Sequence, residues 1–271
     1  MVERYNFTMP GKSHSYRLQA IILRHTDWGE ADRLITLYSR EEGKIRAVAK
    51  GVRKLRSRKS GHLEPFSEVN LLMARGRDLP IITQAEAINP FTSLREDITL
   101  LSYASYVAEL IDRFLIEEEP NQEIFQLLIH TLTRLSQGAE AAFEARFFDL
   151  KFLDLIGFKP ELMECVICRE KIQPQDQFFS LDLGGAVCPN CNRTLRTGIP
   201  ITIDALKYLR HLQRSSYPEA RKAHINPSIQ IEMESLLQRY YTHLLERKLN
   251  TPQFIRSIHQ LQMKATQPEE D

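Results

Sequence analysis

The chain's four cysteines have the types and spacing of a metal site. Cys165, Cys168, Cys188 and Cys191 fall within 27 residues as C-x2-C-x19-C-x2-C. Each C-x2-C pair lets two thiolates reach one ion from a tight turn, with backbone amides free to donate to the sulfurs. Two such pairs supply four soft ligands in a tetrahedron, which suits one structural Zn2+ and leaves no open position for water. Two disulfides, a redox dithiol and an iron–sulfur cluster are the competing readings. Disulfides of a secreted chain would be scattered, so a reduced, cytoplasmic or nucleoid setting is expected. No stretch is apolar enough to cross a bilayer, and the first 16 residues show no secretory apolar core.

A second cluster could bind phosphate. Lys44, Arg46, Lys50, Arg53, Lys54, Arg56, Arg58 and Lys59 follow one another with no acidic residue among them. Lysine and arginine at this density neutralise phosphates and release counterions, giving salt-sensitive binding with little sequence preference. The bland reading is a solvated loop. Arg46 and Lys50 fall on one strand face, as a phosphate-tracking groove requires. Tyr16, Trp28, Tyr38 and Phe66 could stack on bases, although a core position is the default for each. Charge is also uneven. Residues 1–80 hold 16 Lys+Arg against 9 Asp+Glu, and the remainder holds 20 against 26. An anionic partner is therefore expected for the first part only.

Catalytic signatures are missing. Gly11-Lys12-Ser13 resembles the end of a phosphate loop, but Asn6 stands where its first glycine belongs and no strand precedes it. H-E-x-x-H and G-x-S-x-G do not occur, and the histidines are dispersed. Glu117 to Glu119 reads as a solvated helix end before Pro120. No catalytic residue is assigned.

The elements that must position these residues come in two styles. Period-two alternation marks strands at residues 16–23, 33–38, 45–49, 68–74 and 80–87, with a loop at 25–30 and a turn at 41–44. Five short strands without crossover helices predict a small antiparallel barrel, since closure removes exposed edges. From Leu94 the period becomes helical: Leu94, Ile98, Leu101, Ala104, Ala108, Ile111 and Leu115 share one face. Further helices are predicted at 121–135 and 140–156. Helices resume near Thr202, with Asn226-Pro227 capping one and another at 251–263. The organisation expected is a flexible arm at 1–14, an OB-fold DNA-binding domain at 15–88 and a helical domain at 89–157. A zinc module built on the four cysteines at 158–200, the second helical part at 201–263 and a flexible tail at 264–271 follow. The fold class is α+β and multidomain: an N-terminal five-stranded OB-type β-barrel, then an α-helical bundle with an inserted four-cysteine zinc module.

The segment from Gln19 to Lys54 resembles the N-terminal domain of the RecO recombination-mediator family. The resemblance rests on Gly29-Glu30 with Asp32, the turn from Ser39 to Lys44, and Ala49-Lys50-Gly51-Val52-Arg53. The order of barrel, bundle, cysteine module and final helices extends it over nearly the whole chain. It implies a bacterial, non-catalytic DNA repair protein that binds ssDNA and dsDNA and anneals complementary strands. It also implies work with RecR, and in some systems RecF, to load RecA onto strands coated by single-strand-binding protein. The helical part of the family takes the C-terminal tail of that coating protein (SSB). The barrel and cysteines alone fit two other functions: an RNA-binding protein, or a protein–protein adaptor with a basic loop. A metal-dependent nuclease with dispersed catalytic residues is a third.

Overall fold

The computed structural model describes residues 15–266 (side chains through 261, residue 259 excepted). The expected arm at 1–14, with its Gly11-Lys12-Ser13 motif, and residues 267–271 of the expected tail lie outside that range. The chain divides into two compact units, residues 1–90 and 91–271.

The first unit is a five-stranded barrel of β1 (Ser15–Trp28), β2 (Asp32–Ser39), β3 (Gly43–Ala49), β4 (Glu68–Ala74) and β5 (Ile81–Asn89). Strand order round the barrel is β1-β2-β3-β5-β4. β3 shows how the sequence sorts its faces. Ile45, Ala47 and Ala49 are buried in the barrel core, while Lys44, Arg46 and Val48 alternate with them. Leu18, Ala20, Ile22, Ile35, Leu37, Val69, Leu71 and Met73 complete that core from β1, β2 and β4. Truncating one such side chain to alanine costs about 2–5 kcal/mol.

Two expectations are corrected here. The barrel is not wholly antiparallel: β3 and β5 run parallel, joined at the single pair Val48↔Ile81 and by Val48 N–H donating to Pro80 O at 2.9 Å. The reason is topological. β4 leaves β3 to pair with β1, so β5, antiparallel to β4, returns in the direction of β3. The loop expected at 25–30 is also mostly strand. After an irregularity between Ile22 and Arg24, β1 stays paired with β2 as far as Trp28↔Asp32. The turn shrinks to residues 29–31, where Gly29 takes φ +63°.

The second unit begins with α1 (Ser93–Glu96), α2 (Ile98–Phe114), α3 (Gln122–Ser136) and α4 (Ala141–Leu155). A small sheet of β6 (Gln177–Ser180), β7 (Gly185–Val187) and β8 (Ile199–Ile201) follows, with α5 (Pro189–Leu195) between β7 and β8. Then come α6 (Ile203–Arg214), α7 (Tyr217–Ala220), α8 (Pro227–Leu245) and α9 (Thr251–Thr266). Side-chain caps set the helix starts. Asn121 and Asn226 accept from the first turns of α3 and α8, as does Thr202 for α6. The single helix expected from Leu94 is broken at Asp97. That residue is extended (ψ 123°), and its carboxylate caps α2 by accepting from Thr99 and Leu100 N–H. Ile98 is consequently exposed rather than part of the buried face. The backbone of residues 264–266, expected in the tail, continues α9. No helix among the described residues is long and apolar enough to cross a membrane.

Candidate metal centre and nucleic-acid interface

The two cysteine pairs are presented by different backbone devices. Cys165 and Cys168 sit on a tight turn: Arg169 N–H donates to Cys165 O at 2.9 Å, Arg169 adopts φ +64°, and Cys165 N–H donates to Glu170 O at 2.8 Å. Cys188 is the N-cap of α5, with Pro189 in the first turn, and Cys191 lies inside that helix. The strand before the cap passes close to the turn. A Cβ on Gly185 would fall 2.5 Å from Val166 Cγ1 and 2.6 Å from Glu161 O, so glycine alone fits there.

This folding brings all four sulfurs within 4.8 Å of one another. Cys168 Sγ and Cys188 Sγ are 3.9 Å apart. Four thiolates at about 2.3 Å from one tetrahedral ion would stand roughly 3.8 Å apart, so the set fits a single ion. None of the four cysteines is in a disulfide. Amide donors are also in place. Cys188 N–H points to Cys165 Sγ (3.4 Å) and Cys191 N–H to Cys188 Sγ (3.5 Å). Burial alone would raise the Cys165 thiol, but the N–H groups of Cys168, Cys188 and Ile167 outweigh it and bring its pKa down to about 6. Hydrogen bonding to Cys188, with burial, pushes Cys191 up to about 12. Four sulfurs this close cannot all ionise unaided, and a divalent cation removes the conflict.

Around the sulfurs the module is tied to α6 and α8. Arg210 Nε donates to Leu162 O and Gln213 Nε2 to Pro160 O, both at 2.8 Å. Tyr240 Oη reaches Phe158 O at 3.2 Å, and its ring meets Phe179 edge-on at 5.4 Å. The cysteines therefore sit in a brace between helices.

The second part of the basic stretch, Arg53 to Lys59, is held between two buried anchors of the barrel, Val52 and Leu63. At the turn after β3, Gly51 (φ +65°) donates its N–H to Asp32 Oδ1 at 2.7 Å, and Arg53 N–H donates to Ala31 O at 2.9 Å. These bonds seat the loop beside the β1–β2 turn. The eight basic residues then take different roles. Arg53 donates to Gly29 O at 3.2 Å and pairs with Asp27 at 3.3 Å, which ties its exposed side chain to the β1–β2 turn. Lys59 is half-buried: its Nζ donates to Ile82 O at 2.8 Å, and desolvation holds its pKa below the usual lysine range despite nearby Asp32. Lys44 and Arg46 lie on β3 with Arg46 exposed, and Lys50 is exposed in the turn. Lys54, Arg56 and Arg58 are exposed, and their side chains make no hydrogen bond or ion pair among the described residues.

Of the four aromatics, Tyr38 and Phe66 are buried and Tyr16 packs against the barrel core. Trp28 is different, with 52% of its surface exposed beside the Asp27–Arg53 pair. Leu55, in the middle of the basic loop, is fully exposed. Sequence reasoning did not single out Leu55. Its only signal was an apolar residue flanked by cations.

Comparison with known proteins covers both units. The family model described as "Recombination protein O N terminal" matches residues 13–91, and "Recombination protein O C terminal" matches residues 95–253. The chain is 39% identical over 246 residues to DNA repair protein RecO of Roseiflexus sp. (strain RS-1), covering 91% of this chain and 87% of that one. It is 38% identical over 237 residues to DNA repair protein RecO of Dehalococcoides mccartyi (strain ATCC BAA-2266 / KCTC 15142 / 195), covering 88% and 93%. DNA repair protein RecO of Bacillus pumilus (strain SAFR-032) is 32% identical over 244 residues, covering 90% and 94%.

Proposed function

Because the chain belongs to the recombination protein O family of DNA repair proteins, we propose that it is a non-catalytic recombination mediator acting on DNA in the bacterial cytoplasm, at the nucleoid. It binds single- and double-stranded DNA on the barrel, anneals complementary strands, and helps load RecA onto ssDNA coated by single-strand-binding protein. RecR, RecF in some systems, and the coating protein's tail are its protein partners. The observation that carries this reading is the loop of Lys54, Arg56 and Arg58, seated on a barrel with its cations exposed and unpaired among the described residues. A fold does not need such charges, and a polyanion does. Lys44, Arg46 and Lys50 extend the phosphate track, while Arg53 and Lys59 shape the loop. Annealing follows from the charge: cations that screen the repulsion between two phosphate backbones let complementary bases pair without energy input.

In the helical unit the four cysteines hold one structural zinc. Four thiolates and no open position give it a bracing role without chemistry.

The decisive experiment anneals complementary strands coated with single-strand-binding protein, with the native chain and with the K54A/R56A/R58A variant. The native chain should accelerate annealing. The variant should bind a single-stranded oligonucleotide on the order of 100-fold more weakly at low salt, with a salt slope smaller by about 2 (roughly 0.7 per phosphate contact). An unchanged slope would remove the loop from the interface. An RNA oligonucleotide competing as well as DNA would point to the RNA-binding reading instead.

A further inference from the structure

The helical unit carries a cleft that none of the foregoing uses. It lies between α8 and α9, has a volume of about 570 Å³, and no carboxylate among the described residues lines it. Arg239, His243, Lys248 and Arg256 do line it. This is a local reversal, because residues 81–271 hold 20 basic and 26 acidic side chains. Three acids in the surrounding structure are engaged: Asp182 lies 3.3 Å from His243 Nε2, Glu234 binds Arg146 and Gln238, and Glu109 accepts from Asn250 and Thr251. Arg239 and Lys248 are exposed, and their side chains pair with nothing among the described residues. Arg256 donates only its Nε, to Pro252 O at 3.3 Å.

We propose that this cleft is a second binding site for the sugar–phosphate backbone of a nucleic-acid strand. Arg239 and His243 stand one turn apart on α8, about 6 Å along the axis, a spacing that suits neighbouring phosphates of an extended strand. Ser235 and Gln253 add neutral hydrogen-bonding groups, the kind that contact phosphate and sugar without reading bases. Leu249 and Pro252 line it too and are themselves buried. Arg239, Lys248 and the Nη groups of Arg256 keep donors free of partners among the described residues. Three such cations favour a strand with a charge at every residue. The inference rests on the reading of the protein as a nucleic-acid binder. It adds that one chain carries two such sites on separate units, enough to hold two strands.

The test uses the full chain and a labelled single-stranded oligonucleotide, titrated across a salt series, followed by annealing of its complement. R239A/K248A/R256A should reduce the salt slope by about 2 and slow annealing severalfold, with a thermal melting curve like that of the native chain. K248E alone should act in the same direction, and serves if the triple variant melts early. Unchanged slope and annealing in both variants would overturn the second site. So would a cleft variant that loses an acidic peptide probe while keeping the oligonucleotide. The loop variant K54A/R56A/R58A separates the two claims. If it binds like the native chain while the cleft variant does not, the barrel interface fails and the cleft stands. The reverse pattern leaves the barrel interface and removes the cleft.

Discussion

Arg146 in α4 and Arg56 in the barrel loop are the same side chain put to opposite uses. Arg146 is 1% exposed, with Asp149 Oδ2 at 2.8 Å from its Nε and Glu234 at 3.1 Å from Nη1. The latter contact is an ion pair whose angle does not make it a hydrogen bond, so the two Nη atoms lack hydrogen-bond partners. Asp149 is held in turn by Tyr106 Oη at 2.9 Å, while its carbonyl accepts from Tyr241 Oη at 2.8 Å. Arg134 repeats the pattern, paired with the buried Glu144 at 2.8 Å and lying 3.9 Å over the Tyr217 ring. A charge taken out of water must be paired on the spot, and the pair then resists removal of either member. Arg56 stays in water with no partner among the described residues. The core of α4 spends its cations on architecture, while Lys54, Arg56 and Arg58 of the barrel loop stay available. The contrast predicts that removing a buried cation costs stability and removing an exposed one costs nucleic-acid binding.

Metal removal should open the widest gap. Structural zinc sites of this kind contribute on the order of 10 kcal/mol to local folding. Chelation, or Cys188→Ser, should unfold the brace around residues 158–201, seen as lost amide-exchange protection there and a lower melting temperature. Oligonucleotide affinity through the barrel loop should be preserved. A variant that keeps its protection pattern but loses that affinity would erase the division of labour.

Arg146→Ala comes next, at about 3–5 kcal/mol of stability, because it strands Asp149 and Glu234. Its pH dependence carries a sign. Burial pushes the Asp149 carboxyl up to about 6, even though Arg146 and Tyr106 pull it down. The folded value is above the unfolded one, so the native chain holds this proton more tightly. The group therefore favours folding increasingly as pH falls from 6 toward 4. Without Arg146 the carboxyl rises further. The stability lost in R146A should accordingly be larger at pH 8 than at pH 5.5, read as two denaturant titrations. An equal loss at both would mean that Asp149 is already neutral beside Arg146.

Much of this division is legible in the sequence, and the misses share a cause. The cysteine spacing, the alternation in β3 and β4, and Asn226-Pro227 are local patterns, so short-range rules read them. The break at Asp97 was hidden because apolar spacing of three and four runs straight across it. The cap appears only once its carboxylate is seen to accept from Thr99 and Leu100. The basic stretch looked uniform, and only contacts with Asp27, Gly29 and Ile82 distinguish Arg53 and Lys59 from their neighbours. Those partners lie 23 to 26 positions away in sequence. The α8–α9 cleft was invisible for a like reason: its cations are spread over 18 residues of an acidic region, and a helix–turn–helix gathers them.

The smallest effect asks whether charge alone defines the barrel interface. Trp28→Ala removes a half-exposed ring that contributes little to the barrel core, so the melting temperature should barely move. If the ring stacks on a base, single-strand affinity should fall by on the order of 1 kcal/mol, about fivefold. The salt slope should not change, because stacking releases no counterion. Duplex affinity should change less, since paired bases present no free face. That combination differs from the loop variant, which alters the slope and acts on both kinds of strand. Equal losses for single strand and duplex would make Trp28 a support for the Asp27–Arg53 seat beside it. A drop of several degrees in melting temperature would return the ring to the packing of the hairpin.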